Sequence, residues 1–346
     1  MFRWQFYSRG GKVYHAPVFI QGHRMAVYTE LEFAEIEALV APLSLGRLVA
    51  AEGIAAGIEN TTYFLDFERT TPAYQIEKFV LTIVESLSKP EVEFIARLTT
   101  YLHQHGLPVP APAPSASGAT LSVRGKPALV IPKISGRHIN SASPELCRNL
   151  GEVIAKLHLA TSAPGFTHES HRSLGWVFKT GSALLPCLGD ADQHLLSTEL
   201  SGLKRFVSTN ISLRQITIHG DLFRDNVLIF AQRIVAIIDF FSAGTGYPLL
   251  DVAIAANDWC FNAEGVLNLE NYRALLTGYS AFNPPHAEEI GHWQEFMRLA
   301  ALRFWVSRLN EQFIPVSHAP PGRGKNPFPY RELLISHRNT PFEWLD

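Results

Sequence analysis

Cysteine is scarce in this chain. Three among 346 residues, Cys147, Cys187 and Cys260, stand far apart with no paired spacing. An odd, sparse set excludes a disulfide framework and a zinc site, and it points to a reducing compartment. The expected role of these thiols is as small apolar groups in a core. Long apolar runs are missing as well. None approaches the roughly 18 residues that a membrane-spanning helix needs. Charge of one sign is also missing: 30 Lys and Arg against 32 Asp and Glu leave a formal net charge of -2. That removes the footprint of nucleic-acid binding and any long-range pull on anionic lipid. The N-terminal stretch "MFRWQFYSRGGKVYHAPVFIQGHR" has no apolar core of a secretion signal. The expectation is a cytoplasmic protein without nucleic-acid or membrane partners.

What is present is the balance of a globular protein, 47% hydrophobic and 18% charged. A chain of 346 residues exceeds one small core and predicts two lobes. In "MAVYTELEFAEIEALVAPL", Thr29 and Glu32 read as a capping box, followed by a helical stripe of Phe33, Ile36, Leu39 and Val40. Residues 1–24 before it read as an N-terminal extension. "LVAAEGIAAGIENTTYFLDF" reads as strand, glycine-bearing turn, strand, and "KFVLTIVES" as a further strand of an antiparallel sheet. "EVEFIARLTTYLHQHG" reads as a helix, and "ALVIPKISG" as a strand that closes a smaller lobe over residues 25–135.

Residues 136–346 read as mainly helical. Ser143 and Pro144 open one helix with Leu146, Leu150, Ile154 and Leu157 on its apolar face. "TELSGLKRFVS" predicts a shorter helix, and "AEEIGHWQEFMRLAALRFWVSRLNEQF" a long one. Between helices lies "HGDLFRDNVLIFAQRIVAIIDF". Its apolar residues from Ile234 to Phe241 predict a buried strand, yet Asp239 sits near the end. Asp221 is followed five positions later by Asn226. Carboxylates and a carboxamide in such a setting are costly unless they bind something.

The spacing matches the catalytic loop of protein kinases, where an Asp is followed five residues on by an Asn and a later Asp arrives on a strand. Such a loop turns one carboxylate to the acceptor hydroxyl and the amide back to the phosphates. A hard cation that keeps its waters needs little more than one Asn and one Asp. Four fixed residues, each at about 5% usage, recur by chance at roughly one in 100,000 per position.

"IHGDLFRDNVLIF" with "IVAIIDF" resembles the aminoglycoside-phosphotransferase-like kinases. "EGIAAGIENTTYFL", "FVLTIVE", "ALVIPKISGRH", "GEVIAKLH" and "ALRFWVSRL" are similar to the homoserine kinases of that fold. The resemblance implies an α+β fold of two lobes: a small antiparallel-sheet lobe that binds nucleotide and a larger helical lobe with catalytic and substrate-binding residues. It implies ATP and Mg2+ as cofactors and the side-chain hydroxyl of L-homoserine as acceptor, within threonine biosynthesis. Asp221 would be the catalytic base, with Asn226 and Asp239 as magnesium ligands. Gly53, Gly57 and Asn60 would form the nucleotide loop, although Asn60 could equally close the turn. The backbone of Val130 and Ile131 would meet adenine. Thr82 stands where such kinases carry a phosphate-gripping Lys, which leaves Glu93 without an assured partner and makes Arg224 a candidate cation. An amino-acid acceptor wants an Arg fork for its carboxylate, and Arg303 is favoured over Arg308. His219, His158 and Asp251 read as structural hydrogen-bonders, Asp251 bracing the loop. The competing functions are a kinase of another small alcohol, such as choline or an amino sugar, and a pseudokinase suggested by Thr82.

Overall fold

The computed structural model describes residues 29–54, 59–70, 74–115, 120–209, 212–262, 265–314 and 325–344, with the backbone of 7–9 and 12–14. Strands β1 (Tyr7–Arg9) and β2 (Lys12–Tyr14) form a two-stranded antiparallel ladder. The remainder of the first 28 residues, and with it the reading of an extension, lies outside the described residues. Helix α1 (Phe33–Val40) follows. Its capping box is made by Glu32 and Glu35, which corrects the expected Thr29–Glu32 box. Thr29 has other partners: it donates its hydroxyl to Glu85 at 2.7 Å, and its N–H goes to Thr61.

Strands β3 (Arg47–Ile54), β4 (Thr61–Arg69) and β5 (Gln75–Ile83) lead into helix α2 (Lys89–Gln104), then β6 (Leu121–Val123) and β7 (Lys126–Pro132). The five strands form one antiparallel sheet in the order β3-β4-β5-β7-β6. Alternation decides its two faces. Tyr63, Leu65, Phe67, Phe79, Leu81 and Val130 are buried in a core with Ile36 and Val40 of α1. Thr62, Phe64, Asp66, Val80, Thr82 and Ile131 are half-buried on the opposite face.

A second, larger core is built on helices α3 (Pro144–Thr161), α4 (Leu174–Leu184) and α5 (Asp190–Thr209). Ser143 caps α3 as expected, accepting from Leu146 N–H. Helix α5 is longer than expected, and α4 was not foreseen. Strands β8 (Ile216–Ile218), β9 (Val227–Phe230), β10 (Arg233–Ile237) and β11 (Gly244–Gly246) come next. They pair as the antiparallel ladders β9–β10 and β8–β11. Helices α6 (Pro248–Trp259), α7 (Leu269–Ser280), α8 (Ala287–Gly291), α9 (Trp293–Phe313) and α10 (Phe328–Asn339) complete the order. The single long helix expected over residues 287–313 is therefore two, separated at His292. Helices α3 and α7 touch backbone to backbone. A Cβ on Gly151 would lie 2.1 Å from Leu275 O, so glycine is required there.

Candidate active site

β8 delivers the chain into the loop that starts at His219. Gly220 turns it with φ +78°, and a Cβ there would meet Ser242 O at 2.8 Å. The loop is held from beneath by Asp251 of α6, which is fully buried. Asp251 accepts from His219 N–H at 2.7 Å and from Gly220 N–H at 2.6 Å. His158 of α3 donates Nε2–H to the same carboxylate at 3.1 Å and accepts at Nδ1 from the Tyr279 hydroxyl, which in turn accepts from Asn283. Burial by itself would raise the Asp251 pKa. The hydrogen bonds from His158 and Gly220, with both histidines nearby, outweigh it and hold the carboxyl below its usual range. His219 is a buried hydrogen-bonder too. Its Nδ1 accepts from Asp221 N–H and its Nε2 donates to Ile238 O, while burial pulls its pKa down. The bracing role expected of Asp251 is observed, as are the structural hydrogen bonds expected of His219 and the satisfied polar contact expected of His158.

Three further bonds bring Asp221, Asn226 and the chain at Asp239 together. Ile238 N–H donates to Asn226 O at 2.9 Å, which ties the residue before Asp239 to the catalytic loop. Asn226 Nδ2 donates to both the backbone O and the carboxylate of Asp221, at 2.7 and 2.8 Å. Oδ1 is then the atom of Asn226 left for a cation. Asp239 is not on a strand: β10 ends at Ile237, and Asp239 adopts a left-handed conformation with φ 66°. This corrects the expected strand. Such a turn is strained for a residue other than glycine, and it aims the carboxyl away from the apolar ladder.

Burial pushes the Asp221 carboxyl up to about 6, opposed by Arg303 and reinforced by Glu59. Surrounding protein pushes Asp239 up to about 7, with the Asp221 and Glu59 charges adding to it. Asp239 is nonetheless exposed to open cleft solvent, so water screens part of that effect. Two neighbouring carboxylates, the Asp221 charge opposing ionisation of Asp239, form a site suited to a cation. The donor set, one amide oxygen and carboxylate oxygens, fits a hard divalent ion that retains waters. Among the described residues no group of three His, Cys, Asp or Glu is arranged to hold a metal by protein ligands alone.

Several expected site residues have other work. Arg224 directs Nε and Nη2 to Asp258, at 3.1 and 3.4 Å, and Nη1 to Asn140 O. Its fork is filled, so it braces α6 instead of gripping nucleotide. Arg303, expected to face the cleft and grip the substrate carboxylate, is buried at the loop, where Nε donates to Arg172 O at 3.1 Å and Nη1 to Gly220 O. It is a backbone brace, not a free carboxylate fork, and burial pulls its pKa down to about 10. Arg308 lies against Tyr330 and donates to Asn326 O. Asn60 Oδ1 accepts from Glu85 N–H, so it closes the turn. Gly53 is inside β3, opposite Tyr63, and not in a loop. Gly57 lies outside the described residues.

The hinge divides by ladder parity. Lys133 N–H bonds Lys78 O, so by alternation the backbone groups of Ile131 point to β5, unavailable to adenine. Val130 turns its backbone to the other edge, where β6 pairs only as far as Ala128, and its C=O accepts from Ala113 N–H. Thr82 lies opposite Thr62 and Leu129 on the half-buried face. On that face Lys133 Nζ sits 3.4 Å from the centre of the Phe64 ring. Glu93 pairs with Lys89 at 3.8 Å on its own helix. Residues 50–285 match the phosphotransferase enzyme family.

The chain belongs to this family. The phosphotransferase is 38% identical over 286 residues to the homoserine kinase of Pseudomonas aeruginosa (strain UCBPP-PA14), covering 82% of this chain and 88% of that one. It is 34% identical over 318 residues to the homoserine kinase of Methylobacillus flagellatus, covering 90% and 95%. Among solved structures, amicoumacin kinase hAmiN, in complex with AMP-PNP, Ca2+ and Ami, superposes with a TM-score of 0.63 at 18% identity over 89% of this chain and 92% of that one. A choline/ethanolamine kinase family protein from Mesorhizobium loti gives 0.58 at 18%, over 88% and 92%. At these identities the superpositions establish the fold: α+β, two-lobed and kinase-like.

Two residues beside the phosphotransferase's candidate site were missed from sequence. Arg172, just before α4, directs Nη2 to Glu59 at 2.8 Å and Nη1 to Ser307 at 3.0 Å. Glu59 precedes β4 and bears on the charge of both Asp221 and Asp239. Nothing in "ESHRSLG" marks Arg172, because its relation to the loop exists only through Arg303. Two cavities lie elsewhere. One of about 270 Å³ lies between α5 and α9, and one of about 160 Å³ lies near Thr161 and Thr245.

Proposed function

We propose that this chain is a homoserine kinase, transferring the γ-phosphoryl group of ATP to the side-chain hydroxyl of L-homoserine to give O-phospho-L-homoserine. The observation that carries the substrate is the 38% identity over most of both chains to a homoserine kinase. The phosphoryl transfer rests on the Asp221–Asn226–Asp239 cluster. In this reading the smaller lobe spans residues 25–135 and the larger 136–346, after an extension of 24 residues. The setting is cytoplasmic, within threonine biosynthesis, with neither nucleic acid nor membrane as partner.

ATP would be held against the half-buried sheet face of Phe64, Val80 and Thr82, with its adenine at the β7 edge beyond the β6 ladder, beside Val130. Mg2+ at Asn226 Oδ1 and the Asp239 carboxylate would neutralise phosphate charge and hold the phosphates in line. Asp221 accepts the hydroxyl proton of the acceptor. Its raised pKa suits that role, since a base works best near the operating pH. Asn226 steadies the Asp221 carboxylate through Nδ2. Lys133 is the cation proposed in place of the missing strand Lys. Phosphoryl transfer asks the protein chiefly for position and charge stabilisation, so the rigid brace beneath the loop contributes directly to rate.

The test is ADP release with Mg2+ across homoserine, serine, choline and an aminoglycoside. Homoserine should give the highest kcat/KM. Serine is one methylene shorter and should hold its hydroxyl short of in-line geometry. A higher kcat/KM for choline or the aminoglycoside would sink the substrate and keep the kinase. No ADP release with any acceptor would favour the nucleotide-binding alternative.

A further inference from the structure

A single guanidinium links the catalytic loop to a second arginine. Arg303 spans Gly220 O, immediately before Asp221, and Arg172 O. The position of Arg172 relative to the reacting carboxylate is thereby set by backbone contacts. Its side chain is well supported: the guanidinium stacks 4.6 Å from the Trp176 ring centre, and Ser307 of α9 holds Nη1. Its Nη2 meets a carboxylate supplied by the other lobe, that of Glu59. The two ends of this pair are unequal. The Arg172 side chain is 15% exposed and that of Glu59 is 47% exposed. A carboxylate here is poorly placed on its own account. It hinders the ionisation of Asp221 and Asp239 and faces the region that must receive polyanionic phosphates.

We infer that Arg172 and Glu59 form the acceptor amino-acid site, and that the zwitterionic substrate inserts between them, its carboxylate on the Arg172 fork and its ammonium on Glu59. This rests on the homoserine reading above and supplies what Arg303 does not. Insertion of a zwitterion turns one ion pair into two, so no charge is left unpaired. Arg172 Nη2 already binds a carboxylate oxygen in this structure, that of Glu59 at 2.8 Å, which stands in for the α-carboxylate of the substrate. The site reads both charged ends at once, so it accounts for selection of an amino acid over an amine alcohol. It also joins the lobes through the substrate, because Glu59 comes from the β3–β4 connection and Arg172 from the chain before α4.

The experiment uses the full chain with three acceptors: homoserine, 3-amino-1-propanol without the carboxylate, and 4-hydroxybutyrate without the ammonium. Arg172→Gln should raise the homoserine KM about 20-fold or more. It should move the KM for 3-amino-1-propanol and for ATP by less than about threefold. Arg172→Lys keeps the charge without the fork and should fall between wild type and Arg172→Gln. Glu59→Gln should raise the homoserine KM and leave that of 4-hydroxybutyrate nearly unchanged. Neither change removes Arg172 O, on which Arg303 depends, and the melting temperature reports whether that brace survives. Equal effects of Arg172→Gln on homoserine and 3-amino-1-propanol would overturn the carboxylate site. A lower homoserine KM in Glu59→Gln would make Glu59 a blocker and overturn the ammonium site. A wild-type enzyme that prefers choline to homoserine would remove the substrate reading and this site with it. Preference for homoserine with unaffected variants would remove this site alone.

Discussion

Replacing Asp251 by Asn tests the claim that the catalytic loop is held from below. The two side chains have one shape, but the carboxylate accepts at both oxygens and the amide at only one. In the structure both oxygens are used, by Gly220 N–H at 2.6 Å and by His219 N–H at 2.7 Å with His158 at 3.1 Å. In the variant an amide N–H must face at least one of these donors at close range, inside a region with no access to water. Hydrogen bonds to a buried charge contribute about 1.5–3 kcal/mol each, and removing one partner of a buried charged network costs about 3–5 kcal/mol. Unfolding entropy near 2.1 cal/mol/K per residue amounts to about 0.7 kcal/mol/K for a chain of this length. The melting temperature should therefore drop by roughly 4–7 °C. Displacement of Asp221 by even about 1 Å should lower kcat by about 100-fold. The ATP KM should stay within threefold, because β7 is untouched. Differential scanning fluorimetry and steady-state rates read both effects. A melting temperature within 1 °C of wild type together with turnover within threefold would refute the bracing role. The wild-type bond has a pH signature as well. The Asp251 pKa is depressed in the folded chain, so its contribution is full above the unfolded value near 3.8 and is lost as pH falls through the lower folded value.

Asp239→Ala should abolish turnover while the melting temperature stays within about 2 °C of wild type, since the carboxyl is exposed to the cleft; unfolding with normal specific activity of the folded fraction would make it structural. Asp221 has its folded pKa raised from 3.8 to about 6, so in the metal-free protein its contribution to stability falls as pH rises across that window. Asp221→Asn should thus gain on wild type between pH 4 and pH 6.5 by up to about 3 kcal/mol, less what cleft water screens, and equal denaturant midpoint differences at the two pH values would contradict the shift. Arg224→Ala should lower stability by about 1–2 kcal/mol through the lost Asp258 fork, with an unchanged ATP KM; a tenfold rise in that KM would restore Arg224 to the nucleotide. Gly220→Ala should cost both stability and turnover, because φ +78° and Ser242 O at 2.8 Å leave no room for a Cβ, and wild-type behaviour would show that the turn can relax.

Local features were legible in the sequence for local reasons. The Ser143–Pro144 helix start, the apolar stripe of α3 and the alternation of β4 each follow from residues within a few positions of one another. The Asp221 and Asn226 spacing belongs to the same class, since five residues suffice to turn one side chain to the other, and the Nδ2 bond between them is that turn made visible. The end of β10 was misread because an apolar run looks alike whether it stays in a ladder or breaks at Ile237. Only the left-handed turn at Asp239 distinguishes them.

What the chain order alone determined, then, is which residues meet at the candidate site: Asp221, Asn226 and Asp239, on a loop and hairpin whose apolar flanks demand burial. Tertiary structure decided what the arginines do. Arg224 finds Asp258, 34 residues away, and Arg303 finds Gly220, 83 residues away. Arg172 and Glu59 meet across 113 residues. A guanidinium has several donors and a long, flexible stem, so its partner is whichever acceptor the fold brings within reach. No spacing in the sequence encodes that choice, because it depends on how two cores and the connections between them pack, and the same physics that makes periodic burial predictable leaves a distant ion pair free until the chain has folded.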